Sequence, residues 1–417
     1  MSFFKPYKQL GRHIYYLIGA EFLIQCINAT FLVLMNYYLL EIGYKDYQIA
    51  EFTSYRYISV LLLGVPFGFI YKRINLLPLI KIGTILFIAN AIAIVYLAPT
   101  HHPVVMPLLM FCFGIFLLMS HVVALPFLLK IVEEENLSIS LSLFFQTWAT
   151  AIMSVGLVSF IFKHFFTDIN SEKNIILFIL FMSSIAILLL FKIPKNVELL
   201  SSDIDSIVEN KLSREELKRI LMILVPTFII AIGAGFSIPF FNLFFHFTYQ
   251  MTAESYSIIV GLSHGIVILF MMFTPWIKQK FGYQFGVIGI QTMGIICLII
   301  MTWANYFFSF ETAFILAVGF FILRQPLMNS AGPIIAEYTL EIVGRKNQPL
   351  LGSIEATIWS GSFWVSSLIF SELRKMNLTY SNIFNITIVL YIIGVCCWIF
   401  VFRYFRNQKN PSEISIE

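Results

Sequence analysis

Apolar residues in this chain come in long blocks rather than in alternation. Twelve such blocks fall at about residues 14–40, 48–70, 76–97, 104–130, 139–163, 174–192, 218–246, 255–277, 285–305, 310–335, 350–371 and 383–405. Each is about the length of one bilayer crossing and is apolar all round, which predicts helices in lipid and not strands of a barrel. The one long polar interval, IPKNVELLSSDIDSIVENKLSREEL at 193–217, divides the blocks six and six. Inside it, SREELKR predicts a helix start, with Ser213 as cap and Glu216 three residues on.

The two sets of six also match in detail. GFIYKRIN at 68–75 follows the second block and PWIKQKFG at 275–282 follows the eighth, 207 residues later. GIFLLMSHVVALP from Gly114 aligns with GFFILRQPLMNSA from Gly319, 205 residues later, and the first and seventh blocks begin about 204 apart. Anchors that agree this closely predict a duplicated six-helix unit. The expected division is 1–192 as one bundle, 193–217 as a linker and 218–417 as a second bundle with a short tail.

Composition sharpens the class. With 59% hydrophobic, 17% aromatic and 12% charged residues and a mean hydropathy of +0.85, the chain cannot cover a solvent-facing surface, and no soluble domain remains to be placed. Most of the 27 Lys and Arg, among them Lys72, Arg73, Lys192, Lys211, Lys278, Lys280, Arg345 and Arg403, fall on one side if the N-terminus is cytoplasmic. Lys45, Lys163, Lys173, Arg374 and Lys375 then fall outside, and an even helix count puts both termini in the cytoplasm. The net charge of +4 follows from that bias and calls for no nucleic acid. The basic N-terminus precedes an apolar run of over 20 residues containing Glu21, Gln25 and Asn28, so it reads as a retained first helix rather than a signal peptide. All five cysteines lie in predicted helices without disulfide or zinc spacing and read as packing residues.

Six plus six helices, a central polar loop and short basic loops after the second and eighth helices resemble the major facilitator superfamily over the whole chain. The loop signature of that family runs Gly, three residues, Asp, Arg or Lys, one residue, Gly, then basic residues. Gly68 and Arg73 match it, while Lys72 stands at the acidic position and Asn75 at the second glycine. The second copy keeps Lys280 and Gly282 but has Pro275 and Gln279 at the first glycine and the acid. Asn75 and Gly282 are expected to supply a positive φ for a tight turn. The resemblance implies an all-α integral membrane protein of twelve helices in two pseudo-symmetric bundles, with Gly68, Arg73, Asn75, Lys280 and Gly282 in the gating loops.

Charge at membrane depth is costly and marks candidate chemistry. Arg324 is expected near the midplane of the tenth helix, two residues before Pro326, whose missing N–H predicts a kink; it either meets cargo or a coupling carboxylate, or forms a structural pair. Glu21 either takes a proton during transport or is paired with Arg12 or a residue of another helix. Arg56 collects anions at an outer vestibule, or snorkels to water or pairs with Glu51. Glu355 belongs to an inner gate with Arg345 and Lys346, or reaches solvent. His121 and His264 fall near mid-depth, as carriers of a proton or as packing residues. Gln25, Asn28, Gln146, Gln325 and Asn329 are placed to bond cargo or to tie helices together. Gly233 and Gly235 permit bending or close packing, and Trp148, Trp359 and Trp364 are candidates for a cavity wall.

No GxxxxGK phosphate loop, no Cys/His metal spacing and no nucleophile elbow occurs, so the sequence predicts no enzyme and no cofactor. The expected function is a secondary active transporter in the plasma or inner membrane, working as a monomer in the lipid bilayer on a small-molecule cargo coupled to protons or another ion. The alternative is a sensor or scaffold that keeps the architecture without transport, favoured by the missing loop acids.

Overall fold

The computed structural model describes residues 10–70, 74–166, 171–194, 213–344 and 348–406, and all regular structure among them is helical. The first half holds α1 (Arg12–Val33), α2 (Met35–Glu41), α3 (Asp46–Ile70), α4 (Leu76–Leu97), α5 (Val105–Leu117), α6 (Ala124–Ile131), α7 (Glu134–Phe165), α8 (Glu172–Ser183) and α9 (Ile185–Phe191). The second half holds α10 (Arg214–Ser237), α11 (Phe241–Tyr249), α12 (Ala253–Met271), α13 (Thr274–Gln284), α14 (Ile290–Phe307), α15 (Phe310–Val343), α16 (Gln348–Lys375) and α17 (Tyr380–Arg406). Among the described residues, 10 helical stretches are long and apolar enough to cross a membrane. The chain is therefore a multi-pass helical membrane protein. The expected spans near 48–70 and 350–371 are helical too, as α3 and α16, and stand outside those ten.

Two compact units form. One gathers residues 1–206 with 239–265 and 367–377. Inside it α1 is the hub, packed against α7, α8 and α9. Only Leu34 separates α1 from α2, and the pair is fixed to α4 where Tyr38 Oη donates to the Val95 carbonyl at 2.7 Å and Tyr44 Oη to the Ala98 carbonyl at 3.0 Å. The Tyr38 phenol serves a carbonyl that its own helix leaves open, since Pro99 four residues on has no N–H, while the Ala98 carbonyl also accepts from the His101 N–H at 3.2 Å. Gly114 lets α5 lie directly on α3, since a Cβ there would strike Ser59 Oγ and the Arg56 carbonyl. Gly156 does the same for α7 and α12, its absent Cβ facing the Ser257 carbonyl and Gly261 Cα. A single π turn, Leu118–Val122, joins α5 to α6 and carries His121.

The other unit gathers residues 207–238, 266–366 and 378–417. It opens on the capping box expected at Ser213: its Oγ accepts from the Glu216 N–H at 3.1 Å, and the Glu216 carboxylate accepts from the Ser213 N–H at 2.8 Å. Gly233 and Gly235 serve close packing, with the Tyr391 ring 2.9 Å and Ser366 Cβ 2.7 Å from where their Cβ atoms would stand. Thr387 Oγ1 then donates to the Gly233 carbonyl at 2.8 Å, tying α17 to α10.

One local expectation needs correction. Asn75 does not supply a positive φ; at φ −71° it is the N-cap of α4, accepting from the Leu77 N–H, a role a short amide fills better than an exposed turn would use it. Gly282 does adopt φ +74° and breaks the helical path of α13. Pro326, where a kink is expected, lies inside α15, which runs through both Pro326 and Pro333. Lys72 and Arg73 lie outside the described residues, as do Arg345 and Lys346 and most of the 193–217 linker.

Candidate functional site

The polar residues of α1 fall at Glu21, Gln25 and Asn28, and steps of four and three place them on one helical face. All three are buried, with Glu21 at 1% exposure. Gln25 Nε2 donates to Glu21 Oε1 at 2.9 Å, and Asn28 Nδ2 donates to Gln25 Oε1 at 3.0 Å. Arg56 from α3 donates through Nη2 to Asn28 Oδ1. His121 from the π turn closes the other end, its Nδ1 2.5 Å from Glu21 Oε1 and 2.9 Å from Gln25 Nε2.

The amide orientations follow from the ends. A guanidinium only donates and a carboxylate only accepts, so Asn28 must turn its oxygen to Arg56 and its NH2 to Gln25, which repeats the choice toward Glu21. The outcome is a one-directional chain of donors from a cation on α3 to an anion on α1. At 2.5 Å, His121 Nδ1 and Glu21 Oε1 are joined by a hydrogen bond, with the imidazole N–H donating to the carboxylate. Phe144 of α7 lies parallel to the imidazole at 6.2 Å. Glu21 Oε2 is buried with no hydrogen-bond partner among the described residues.

Arg56 is held in place by two rings, with Phe113 4.8 Å and Tyr57 5.5 Å from its Cζ. It also lines a narrow cleft with Asn36, Thr53, Tyr57 and Met110. Of the alternatives open in the sequence, Arg56 turns inward to Asn28, and Glu21 meets His121 rather than Arg12.

Arg324, at 1% exposure, donates through Nη2 to Tyr391 Oη at 3.3 Å inside the second unit. Asn329 donates to the Gln325 carbonyl of its own helix, and His264 stands 2.9 Å from the Val260 carbonyl of its own preceding turn. Gln146 is exposed on α7. Lys280 lies over the Trp276 and Phe281 rings at 5.0 and 5.4 Å, and Gly68 sits near the end of α3.

Sequence reasoning passed over a second polar cluster in the first unit. Asp46 Oδ2 pairs with Arg374 Nε at 2.5 Å, and Ser371 Oγ donates to the Tyr47 carbonyl at 2.8 Å. Asn36 Nδ2 donates to Asn242 Oδ1 at 2.9 Å and to the Pro239 carbonyl at 3.0 Å, while Asn242 Nδ2 returns to the Leu32 carbonyl at 3.2 Å. The available signal was polarity where the apolar blocks end: Asn36 and Asn242 each interrupt an otherwise apolar run.

No protein-family model matches the sequence, and no curated protein matches it at a significant level. Solved structures do. A bacterial homologue of the iron transporter ferroportin in its inward-facing state matches with a TM-score of 0.70 at 12% identity, covering 94% of this chain and 99% of that one. The D-xylose-proton symporter matches with a TM-score of 0.70 at 13% identity, covering 94% and 96%. The nucleoside transporter NupG matches with a TM-score of 0.69 at 11% identity, covering 94% and 99%. The chain has the fold of the major facilitator transporters.

Proposed function

We propose, from the major facilitator fold, that this protein is a secondary active transporter that moves a small organic solute by alternating access. In this reading twelve helices form two six-helix bundles, 1–192 and 218–417, joined by the 193–217 linker. Both termini lie in the cytoplasm, the chain works as a monomer in the plasma or inner membrane, and the basic loops with Arg73 and Lys280 bias the conformational equilibrium. The driving ion is the proton, carried by Glu21 and His121. Arg324, with Gln325 and Asn329 on the same helix, is the second charge a cargo can meet, and His264 and Gln146 remain subsidiary candidates.

The observation that carries the reading is the donor chain from Arg56 through Asn28 and Gln25 to Glu21 and His121. Ionisable groups inside membrane helices are expensive, and a protein that only scaffolds has no use for three of them, Arg56, Glu21 and His121, linked in series through two amides. The neighbours of this fold are named for nucleosides, iron and xylose, so the fold selects no cargo. Proteoliposomes incubated in a cellular metabolite extract and analysed by mass spectrometry should retain at least one solute above protein-free vesicles. Contents identical to protein-free vesicles would favour the scaffold.

A further inference from the structure

We propose that Arg56 is the receptor for an oxyanion on the cargo, so that the transported solute is a small organic acid held by its carboxylate; the proposal rests on the transporter reading above. A guanidinium offers five N–H donors and no acceptor. One of these, on Nη2, is used by Asn28 Oδ1. Nε is buried and has no hydrogen-bond partner among the described residues. Arg56 forms no ion pair with a carboxylate among them either, whereas Arg374, Lys278 and Lys375 each do. A cation kept inside a membrane helix without a carboxylate is costly, and an anionic ligand is the partner that relieves the cost.

Geometry and surroundings fit a carboxylate. Nε–H and the neighbouring Nη–H form the edge of the fork that takes two carboxylate oxygens in parallel. The cleft beside Arg56 measures about 20 Å³, room for about one water-sized polar group. Its walls combine the apolar Phe31, Met35 and Met110 with the polar Asn36 and Thr53, and at this size the cleft receives only the oxyanion end of an acid, the rest of which needs the opening that alternating access provides. Phe113 and Tyr57 fix the guanidinium plane and leave its edge to the ligand. An anion on that edge competes with Asn28 for the guanidinium, so occupancy is passed along the amides to Glu21.

The test uses the full chain in a neutral maltoside detergent, with benzoate and hexanoate as carboxylate probes, benzamide as the uncharged match and inorganic phosphate as the alternative oxyanion. Millimolar benzoate or hexanoate should raise the unfolding temperature of the wild type by several degrees, with no shift from benzamide. Arg56→Gln should remove the shift and Arg56→Lys should weaken apparent affinity at least tenfold, while Lys173→Gln leaves it intact. Gel filtration and helical circular dichroism keep a misfolded Arg56→Gln from being counted, and the wild-type comparison of benzoate with benzamide stands without it. No shift from either carboxylate, equal shifts from benzamide, a shift from phosphate alone, or full binding by folded Arg56→Gln would each overturn the proposal. Solute uptake without carboxylate binding would remove this inference and keep the transporter; carboxylate binding without any uptake would do the reverse.

Discussion

Glu21 is a carboxylate at 1% exposure whose charge is answered by one imidazole and one amide, both on the same oxygen. Removing the two partners of that bond therefore has unequal consequences. Glu21→Gln keeps an acceptor for Gln25 and His121, so it should cost about 1 kcal/mol. His121→Ala leaves a buried carboxylate without its cationic partner and should cost about 3 kcal/mol. Thermal unfolding in detergent should place the His121 variant clearly below the Glu21 variant, and the opposite order would mean that the pair is not what holds the charge. The α1 members of this chain were legible beforehand, because a periodicity of three to four residues can be read from letters. His121 and Arg56 were visible only as isolated polar residues. What joins them to Glu21 is the reach of Arg56 from α3 to Asn28 and the packing of the π turn on α1, which no local pattern encodes.

Among the helices, glycine decides which surfaces meet. Gly114 and Gly319 are matched positions of the two sequence repeats, yet a Cβ at Gly114 would strike the backbone of α3 at Arg56, while one at Gly319 would meet nothing within 4 Å. The repeat was thus readable in the sequence, and the different work of its two copies was not. Gly114→Ala should push α3 away, cost about 1–3 kcal/mol and disturb Arg56, whereas Gly319→Ala should be close to neutral. Thermal stability measured beside benzoate binding checks both, and equal tolerance at the two positions would contradict the packing described. Turn chemistry was also only half legible. Gly282 takes the positive φ expected of it, but Asn75 caps α4 instead, because a short amide serves an N-cap and a left-handed turn equally well and the sequence does not choose between them.

For the whole molecule, hydropathy carried most of the information. Helices over all twelve apolar blocks, and a fold shared with transporters at 11 to 13% identity, follow from where apolar runs stop and start. The polar contact between Asp46 and Arg374 was not readable that way: the two are 328 positions apart and look like ordinary loop charges until the fold brings them to 2.5 Å. The central claim is that this fold couples solute movement to a proton held by Glu21 and His121. It is tested most directly by reconstituting wild type and Glu21→Gln at equal density and following an accumulated solute with and without an imposed pH gradient. The account predicts that the wild type concentrates the solute only when the gradient is present, while Glu21→Gln exchanges it across the membrane but concentrates it no further in either condition. Gradient-driven accumulation by Glu21→Gln equal to that of the wild type would contradict it.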